Sequence, residues 1–340
     1  MHGLNNQNKP VVIAWETTRR CTLRCQHCRG AALDCDYAGE FSTGEFYRTI
    51  DNIASFAKPM LILTGGEPMM RDDIYDIARY ATDKGLRVVM APCGHLITQE
   101  TAAKLKASGV MAISISIDGA TKASHDAFRG VPGAFKRTME GLQHAINAGI
   151  PFQVNTTVTR QNIDDIPAIY EKAVELGAKT FDLFFLVPTG RGSDLKDLEI
   201  SSEQAEELLH WVVETNRTSP IRVKTTCAPH VVRVKNEMGE ESQDGGCMGG
   251  KGFVFISHTG ILQPCGFFDV PCGDLRAADY DFKTLYETSP VFNDLRDFSK
   301  YKGKCGACEF VALCSGCRAR ALSATGDYLD AEPTCGYQPE

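Results

Sequence analysis

The chain alternates between short apolar runs and longer segments in which apolar residues recur every three or four positions. The short runs are rich in β-branched and aromatic residues and cover 11–16, 60–64, 86–91, 111–117, 152–158 and 181–187. The segments between them have the spacing of amphipathic helices, as at Phe46, Ile50 and Ile53. This order predicts an α/β fold of six strand–helix units, with parallel strands and helices outside the sheet.

The last third of the chain has a different composition. From about residue 226 it is rich in glycine and cysteine and has only short periodic pieces. We therefore predict two domains, residues 1–225 and residues 226–340, and expect bound metal to replace part of the core of the second.

Composition narrows the possible functions. The 340 residues include 43% hydrophobic and 23% charged side chains, as in an ordinary globular protein, and the formal net charge is -7. The acidic balance argues against a nucleic-acid partner. No apolar run approaches ~18 residues and no secretory signal opens the chain, so we expect no membrane partner and a cytoplasmic location.

Cysteine is unusually frequent, with 14 residues in two groups. In a reducing compartment such a count points to metal binding or catalysis rather than disulfides. Cys21, Cys25 and Cys28 follow the first predicted strand with the spacing C-x3-C-x2-C. Three thiolates on one loop suit three irons of a 4Fe–4S cluster and leave the fourth iron open. Zinc would require a fourth ligand, and only His27 is adjacent.

This spacing resembles the signature of the radical S-adenosylmethionine (SAM) enzymes, in which an aromatic residue precedes the last cysteine. His27 fills that place. The resemblance implies a partial (β/α)6 barrel with a small iron–sulfur domain at its C-terminal end. It also implies that one electron from the cluster cleaves SAM and that the resulting radical abstracts a hydrogen atom.

Further segments match this family in order along the chain. Gly65, Gly66, Glu67 and Pro68 follow the second predicted strand and resemble the motif that holds the amino group of SAM. Glycines allow the backbone to approach closely, and a carboxylate suits an ammonium group.

Four more positions are implied by the resemblance to contact SAM. Ser116 and Arg129 would bind its carboxylate, and Asn155 and Leu186 would flank ribose and adenine. The sequence departs from many relatives at Cys93, where they carry an asparagine.

The C-terminal cysteines resemble the SPASM or twitch extension of radical SAM enzymes, which holds one or two auxiliary iron–sulfur clusters. By this resemblance, one auxiliary 4Fe–4S cluster would be ligated by Cys305, Cys308, Cys314 and Cys335. A second would draw on Cys247, Cys265 and Cys317. Tetrahedral zinc at the C-x2-C pairs is the alternative, and Cys35 and Cys227 are interpreted as structural.

Longer phrases such as WETTRRC, SISIDGA and GFVFISHTGILQPCG resemble the radical SAM enzymes of the siroheme-dependent heme pathway. The greatest resemblance is to those that oxidatively decarboxylate iron-coproporphyrin III, converting two propionates to vinyls and giving heme b. The implied partners are this tetrapyrrole and an electron donor such as flavodoxin or ferredoxin.

A substrate with four carboxylates calls for basic side chains. Candidates near the motif ends are Arg19, Arg20, Arg29, Arg191, Lys251, Arg318 and Arg320. Taken singly, each of these is more often a solvated surface charge than a substrate contact. His230 and His258 could ligate the substrate iron or could be structural.

Other functions compete with this one. Related enzymes remove acetate groups from didecarboxysiroheme or act in heme d1 formation, and other SPASM enzymes modify peptides. A non-catalytic iron–sulfur or zinc scaffold is the alternative from another class, although a scaffold has no need of a SAM motif. Absorbance near 400 nm would distinguish iron–sulfur protein from colourless zinc protein.

Overall fold

A computed structural model describes residues 9–240 and 246–339. Within these residues, ten strands form one sheet in the order β10-β9-β8-β1-β2-β3-β4-β5-β6-β7. The strands are β1 Val12–Glu16, β2 Met60–Thr64, β3 Arg87–Met90, β4 Ile113–Ser116, β5 Phe152–Val158, β6 Thr180–Phe185, β7 Arg222–Thr226, β8 Phe253–Ile256, β9 Ile261–Gln263 and β10 Gly273–Asp274. Strands β1 to β6 are the six predicted ones. They lie side by side in chain order, each parallel to the next.

Helices connect the parallel strands. The helices are α1 Thr43–Phe56, α2 Ile74–Asp83, α3 Gln99–Ala107, α4 Lys122–Arg129, α5 Ala134–Asn147, α6 Ile166–Glu175, α7 Ser202–Thr218, α8 Val231–Glu237, α9 Phe282–Thr288, α10 Pro290–Arg296, α11 Gly303–Ala307, α12 Val311–Cys314 and α13 Arg318–Thr325. In α1 the predicted face of Phe46, Ile50 and Ile53 is fully buried. The helix begins with a capping box in which Ser42 and Glu45 bond each other's backbone amides.

The sheet extends beyond the six predicted strands on both sides. Strand β7 pairs in parallel with β6, and β8 pairs in parallel with β1, with Val12 opposite Phe253. Because β8 belongs to the cysteine-rich segment, the sheet links the two predicted domains, whose boundary stays a prediction. The carboxyl ends of β1 and β8 therefore lie next to each other at one edge.

No helix in the described parts of the chain combines the length and apolar character needed to cross a membrane.

Candidate functional site

The loop between β1 and α1 brings the three N-terminal cysteines to the carboxyl edge of the sheet. Cys21 and Cys25 are buried and Cys28 is half-buried. The amide of Leu23 donates to Sγ of Cys21, and that of Ala32 donates to Sγ of Cys28, each over 3.4 Å. Burial raises the pKa of the Cys21 thiol to about 12. A bound metal that stabilises the thiolates would offset this cost.

The segment after β6 holds this loop in place. The amide and Nε of Arg191 donate to the carbonyls of Cys28 and Cys25 over 3.0 Å, and its Nη1 donates to the Ala32 carbonyl over 2.7 Å. A Cβ at Gly190 (φ 57°) would lie 2.0 Å from a loop carbonyl oxygen. Arg191 was named above as a possible substrate contact. Its guanidinium instead holds the cysteine loop in shape through these hydrogen bonds.

Gly65 and Gly66 are packed against the same loop. A Cβ at Gly65 would lie 2.4 Å from the Thr18 carbonyl oxygen, and one at Gly66 would lie 2.3 Å from that of Arg20. The amide of Gly66 donates to the backbone carbonyl of Thr18 over 2.8 Å, and the amide of Glu67 donates to the backbone carbonyl of Arg20 over 2.7 Å. Any side chain at either glycine would push the cysteine loop away.

Glu67 is a buried carboxylate that has no cationic partner within the described parts of the chain. Its two oxygens accept backbone amides, Oε1 from Met69 over 3.0 Å and Oε2 from Cys93 over 2.6 Å. Burial raises its pKa, and the hydrogen bonds oppose the rise only partly. Among the described residues no Lys, Arg or His forms an ion pair with it. This uncompensated carboxylate fits the ammonium group of SAM. Pro68 begins the short 3-10 turn that follows.

Arg129, the last residue of α4, reaches both the cysteine loop and the segment that follows strand β4. Its Nη1 lies 3.6 Å from Sγ of Cys25, and its Nη2 forms an ion pair with Asp118. Nε is buried and has no hydrogen-bond partner in the described structure. A free buried N–H of a guanidinium suits the carboxylate of a ligand such as SAM.

The other predicted SAM contacts differ in how many of their polar atoms are already hydrogen-bonded within the protein. Ser116 and Asn155 stand opposite each other in β4 and β5, both half-buried, and Oδ1 of Asn155 accepts from Gln153. The Leu186 amide donates to the Val158 carbonyl over 3.4 Å, and its carbonyl accepts from Arg320 over 3.0 Å. The backbone of Leu186 is therefore already engaged.

His27 stacks on Phe128, with ring centroids 4.5 Å apart and 15° between the planes. Its Nδ1 is buried without a partner in the described residues. The ring thus closes one side of the cysteine loop.

In the C-terminal segment, the four cysteines predicted for one auxiliary cluster line a single pocket, together with His230. Sγ of Cys314 accepts from the Gly316 amide over 3.4 Å. Sγ of Cys305 accepts from the Glu332 amide over 3.3 Å and from Nη2 of Arg318 over 3.4 Å. Hydrogen bonds to sulfur of this kind tune iron–sulfur clusters.

The three remaining cysteines of the prediction lie near one another and near a fourth. Cys227 and Cys265 pack against the small apolar cluster that contains Cys317. A Cβ at Gly249 would lie 3.7 Å from Sγ of Cys247 and 3.4 Å from the carbonyl oxygen of Pro264, the residue before Cys265. Cys227 has a φ of 63°, which is rare for a residue with a side chain. We interpreted Cys227 as structural from the sequence, and the structure brings it into this group.

Within residues 9–240 and 246–339, no three His, Cys, Asp or Glu side chains are arranged to hold a metal ion. Donor type, spacing and hydrogen bonding to sulfur, rather than preformed coordination, are what fit these cysteines to iron–sulfur clusters.

Several basic candidates for substrate binding are occupied elsewhere. Arg318 and Arg320 are both buried. Arg318 donates hydrogen bonds to backbone carbonyls and to Sγ of Cys305. Arg320 forms an ion pair with Glu332 and donates to backbone carbonyls. Nζ of Lys251 donates to Ser315 over 2.5 Å, and Arg20 pairs with Asp34 at the surface. Arg19 and Arg29 remain beside the cysteine loop.

The sequence model of the radical SAM superfamily matches residues 15–173, which include the cysteine loop, Glu67 and Arg129. With the parallel sheet and this site, the match defines a radical SAM enzyme. The solved structure of Streptococcus suis SuiB bound to S-adenosylmethionine has the same fold. Its TM-score is 0.79 at 17% identity, over 97% of this chain and 78% of SuiB.

Sequence comparison narrows the class. The chain is 48% identical to the AdoMet-dependent heme synthase of Methanosarcina barkeri, over 98% of both chains. It is 47% identical to that of Nitratidesulfovibrio vulgaris, over 96% of this chain and 92% of the relative. The Fe-coproporphyrin III synthase of Methanosarcina barkeri is 30% identical, over 97% of this chain and 88% of the relative. The chain belongs to the AdoMet-dependent heme synthase family of radical SAM enzymes.

Proposed function

We propose that this enzyme converts iron-coproporphyrin III to heme b by oxidative decarboxylation of two propionates to vinyls. The observation that carries the proposal is the 48% identity to a heme synthase along 98% of both chains. The uncompensated Glu67 carboxylate and the free Nε of Arg129 support a SAM site beside the cysteine loop.

Cys21, Cys25 and Cys28 would hold a 4Fe–4S cluster, and Glu67, Arg129, Ser116 and Asn155 would bind SAM beside it. Bound there, cluster and SAM together supply the radical that abstracts hydrogen. The chain's own residues orient the SAM ammonium and carboxylate groups, and Arg191 and the two glycines fix the loop. Leu186 would contribute apolar contact only, because its amide and carbonyl are paired.

The net change at each propionate is balanced by three losses. The side chain loses one hydrogen atom from the carbon next to the ring, one CO2 from its end, and one electron, and a carbon–carbon double bond forms. The electron requires an acceptor, and an external donor such as flavodoxin or ferredoxin must supply the electron that starts each cycle.

Iron–sulfur clusters held by the C-terminal cysteines would be suitable acceptors for that electron. Cys305, Cys308, Cys314 and Cys335 would hold one auxiliary cluster. Cys247, Cys265 and Cys317, completed by Cys227, would hold a second. The packing of Cys227 in the same apolar cluster as Cys265 and Cys317 supports the fourth position.

The test is anaerobic turnover of the reconstituted enzyme with SAM, a strong reductant and iron-coproporphyrin III, followed by mass spectrometry. We expect stepwise loss of two carboxyl groups, with 5′-deoxyadenosine formed alongside. Cys25→Ala should be inactive, whereas Cys35→Ala, at an exposed cysteine, should retain activity.

Formation of deoxyadenosine with unchanged porphyrin would overturn the substrate assignment but leave the radical SAM class intact. Didecarboxysiroheme would then be the next substrate, because a relative named Fe-coproporphyrin III synthase is 30% identical to the chain.

A further inference from the structure

Glu16 and His258 form a buried pair at the carboxyl edge of the sheet. Glu16 ends β1, and His258 follows β8, the parallel neighbour of β1. Nδ1 of His258 lies 2.8 Å from Oε2 of Glu16, and the His258 amide donates to the same oxygen over 3.3 Å. Neither residue belongs to the cysteine motif or to the motif of Gly65, Gly66, Glu67 and Pro68.

The pair fixes which nitrogen of His258 is available. Burial raises the pKa of Glu16, but Arg29, the His258 hydrogen bond and Arg19 together lower it to about 2. Nδ1 is the ring nitrogen that faces the carboxylate, so Nε2 is the nitrogen left to face a ligand. No hydrogen bond to Nε2 is present among the described residues, and the His258 side chain is 9% exposed. A histidine that donates its other N–H to a carboxylate is the usual arrangement at a metal ligand.

The charge around the pair favours an anionic ligand. Arg19 and Arg29 contact Glu16 at 3.2 and 3.3 Å, so two guanidinium groups share one carboxylate. Their side chains are 31% and 19% exposed. The surplus positive charge at this partly open position suits a carboxylate of the substrate.

The pair is adjacent to the cysteine loop. Arg29 directly follows Cys28, and a Cβ at Gly30 would lie 3.1 Å from Oε1 of Glu16. Arg29 also stacks on Phe255 of β8, 4.2 Å from its ring centroid. A porphyrin held at His258 would therefore have an edge beside the loop that is proposed to generate the radical.

His230, the other histidine considered from the sequence, is not in such a position. It is 1% exposed, and it lines the pocket of Cys305, Cys308, Cys314 and Cys335. A porphyrin iron would have to displace the proposed auxiliary cluster to reach it.

We propose that Nε2 of His258 is an axial ligand to the iron of the tetrapyrrole substrate and that Glu16 positions it. Arg19 and Arg29 bind a substrate carboxylate at the same place. This inference rests on the proposed function, since it presumes an iron porphyrin substrate.

The test is anaerobic titration of ferric iron-coproporphyrin III into reconstituted enzyme without SAM or reductant. Resonance Raman and EPR spectra of the porphyrin iron are the readout. We expect histidine ligation in the wild type and in His210→Ala, a control at a half-exposed histidine on α7. In His258→Ala the ligation should be lost, affinity should fall about 10-fold or more, and added imidazole should restore the spectrum.

Glu16→Gln should retain binding but shift the iron–histidine vibration, because the neutral amide makes His258 a weaker base. Wild-type spectra in His258→Ala, with unchanged iron content, would overturn the inference while leaving the proposed function standing. If the wild type binds no iron-coproporphyrin III at all, the proposed function fails instead. Metal-free coproporphyrin III should bind wild type and His258→Ala with similar affinity, because neither can use the iron contact.

Discussion

Nη1 of Arg129 lies 3.6 Å from Sγ of Cys25, although the two residues are 104 positions apart. The same guanidinium pairs with the buried Asp118, which also accepts the Thr157 amide over 2.7 Å. One buried cation thus connects the cysteine loop to the ends of β4 and β5. Its positive charge therefore affects both the stability of this edge of the sheet and the reduction potential of a cluster bound by the cysteine loop.

Replacing Arg129 by Gln should therefore have two effects. Asp118 would lose its cation, and breaking such a buried pair costs about 3–5 kcal/mol in the free energy of unfolding. Removal of positive charge beside Cys25 should also make the reduction potential of the loop cluster more negative. Potentiometric titration followed by EPR measures the second effect. Arg48→Gln, which breaks an exposed pair with Asp279, is the control, and an unchanged potential in Arg129→Gln would contradict the assignment.

A side chain at Gly66 should prevent cluster assembly. Gly66→Ala would place Cβ 2.3 Å from the Arg20 carbonyl oxygen and displace the cysteine loop. We expect the iron content per chain after reconstitution to fall by about one 4Fe–4S cluster. Gly44→Ala, where nothing lies within 4 Å of the added carbon, should keep full iron content. Equal iron in the two variants would show that the loop tolerates the shift.

Glu67→Gln should weaken SAM binding. It should also cost about 1–3 kcal/mol in the free energy of unfolding of the SAM-free protein, because its NH2 group would face one of the two backbone amides, of Met69 or Cys93, that Glu67 now accepts. A lost charged hydrogen bond of about 1.5–3 kcal/mol corresponds to roughly 10- to 150-fold in affinity, measurable by calorimetry. Because the pKa of Glu67 is raised on folding, the folded state holds its proton more tightly than the unfolded state. Its contribution to stability therefore falls as pH rises from the unfolded pKa through the folded one. The variant should lose this pH dependence, and unchanged SAM affinity would refute the assigned contact.

Cys227 is where the sequence and the structure lead to different expectations. If it completes the site of Cys247, Cys265 and Cys317, Cys227→Ala should lose iron to the same extent as Cys265→Ala. Mössbauer spectra should then show the loop cluster unaffected in both variants. If Cys227→Ala keeps the same iron as the exposed control Cys35→Ala, Cys227 is structural, as the sequence suggested.

The sequence predicts most of the parallel sheet because β1 to β6 are compact apolar runs between amphipathic helices. The pattern does not predict β7, because its sequence RVKTT is polar, or β9, because its sequence ILQ is only three residues long. Both strands form because neighbouring strands pair with them. The motif residues are recognised by spacing. The roles of Arg191 and Cys227 are not recognised in this way. Arg191 donates to backbone carbonyls, which leave no trace in the sequence, and Cys227 lies 20 positions before Cys247, a spacing that matches no motif.

The most direct test of the central claim, radical decarboxylation of propionates, is turnover with iron-coproporphyrin III deuterated on the propionate carbons next to the ring. We predict that 5′-deoxyadenosine gains deuterium and that one deuterated molecule forms for each vinyl group. Formation of heme with unlabelled deoxyadenosine, or labelled porphyrin that stays intact while deoxyadenosine accumulates, would contradict the claim.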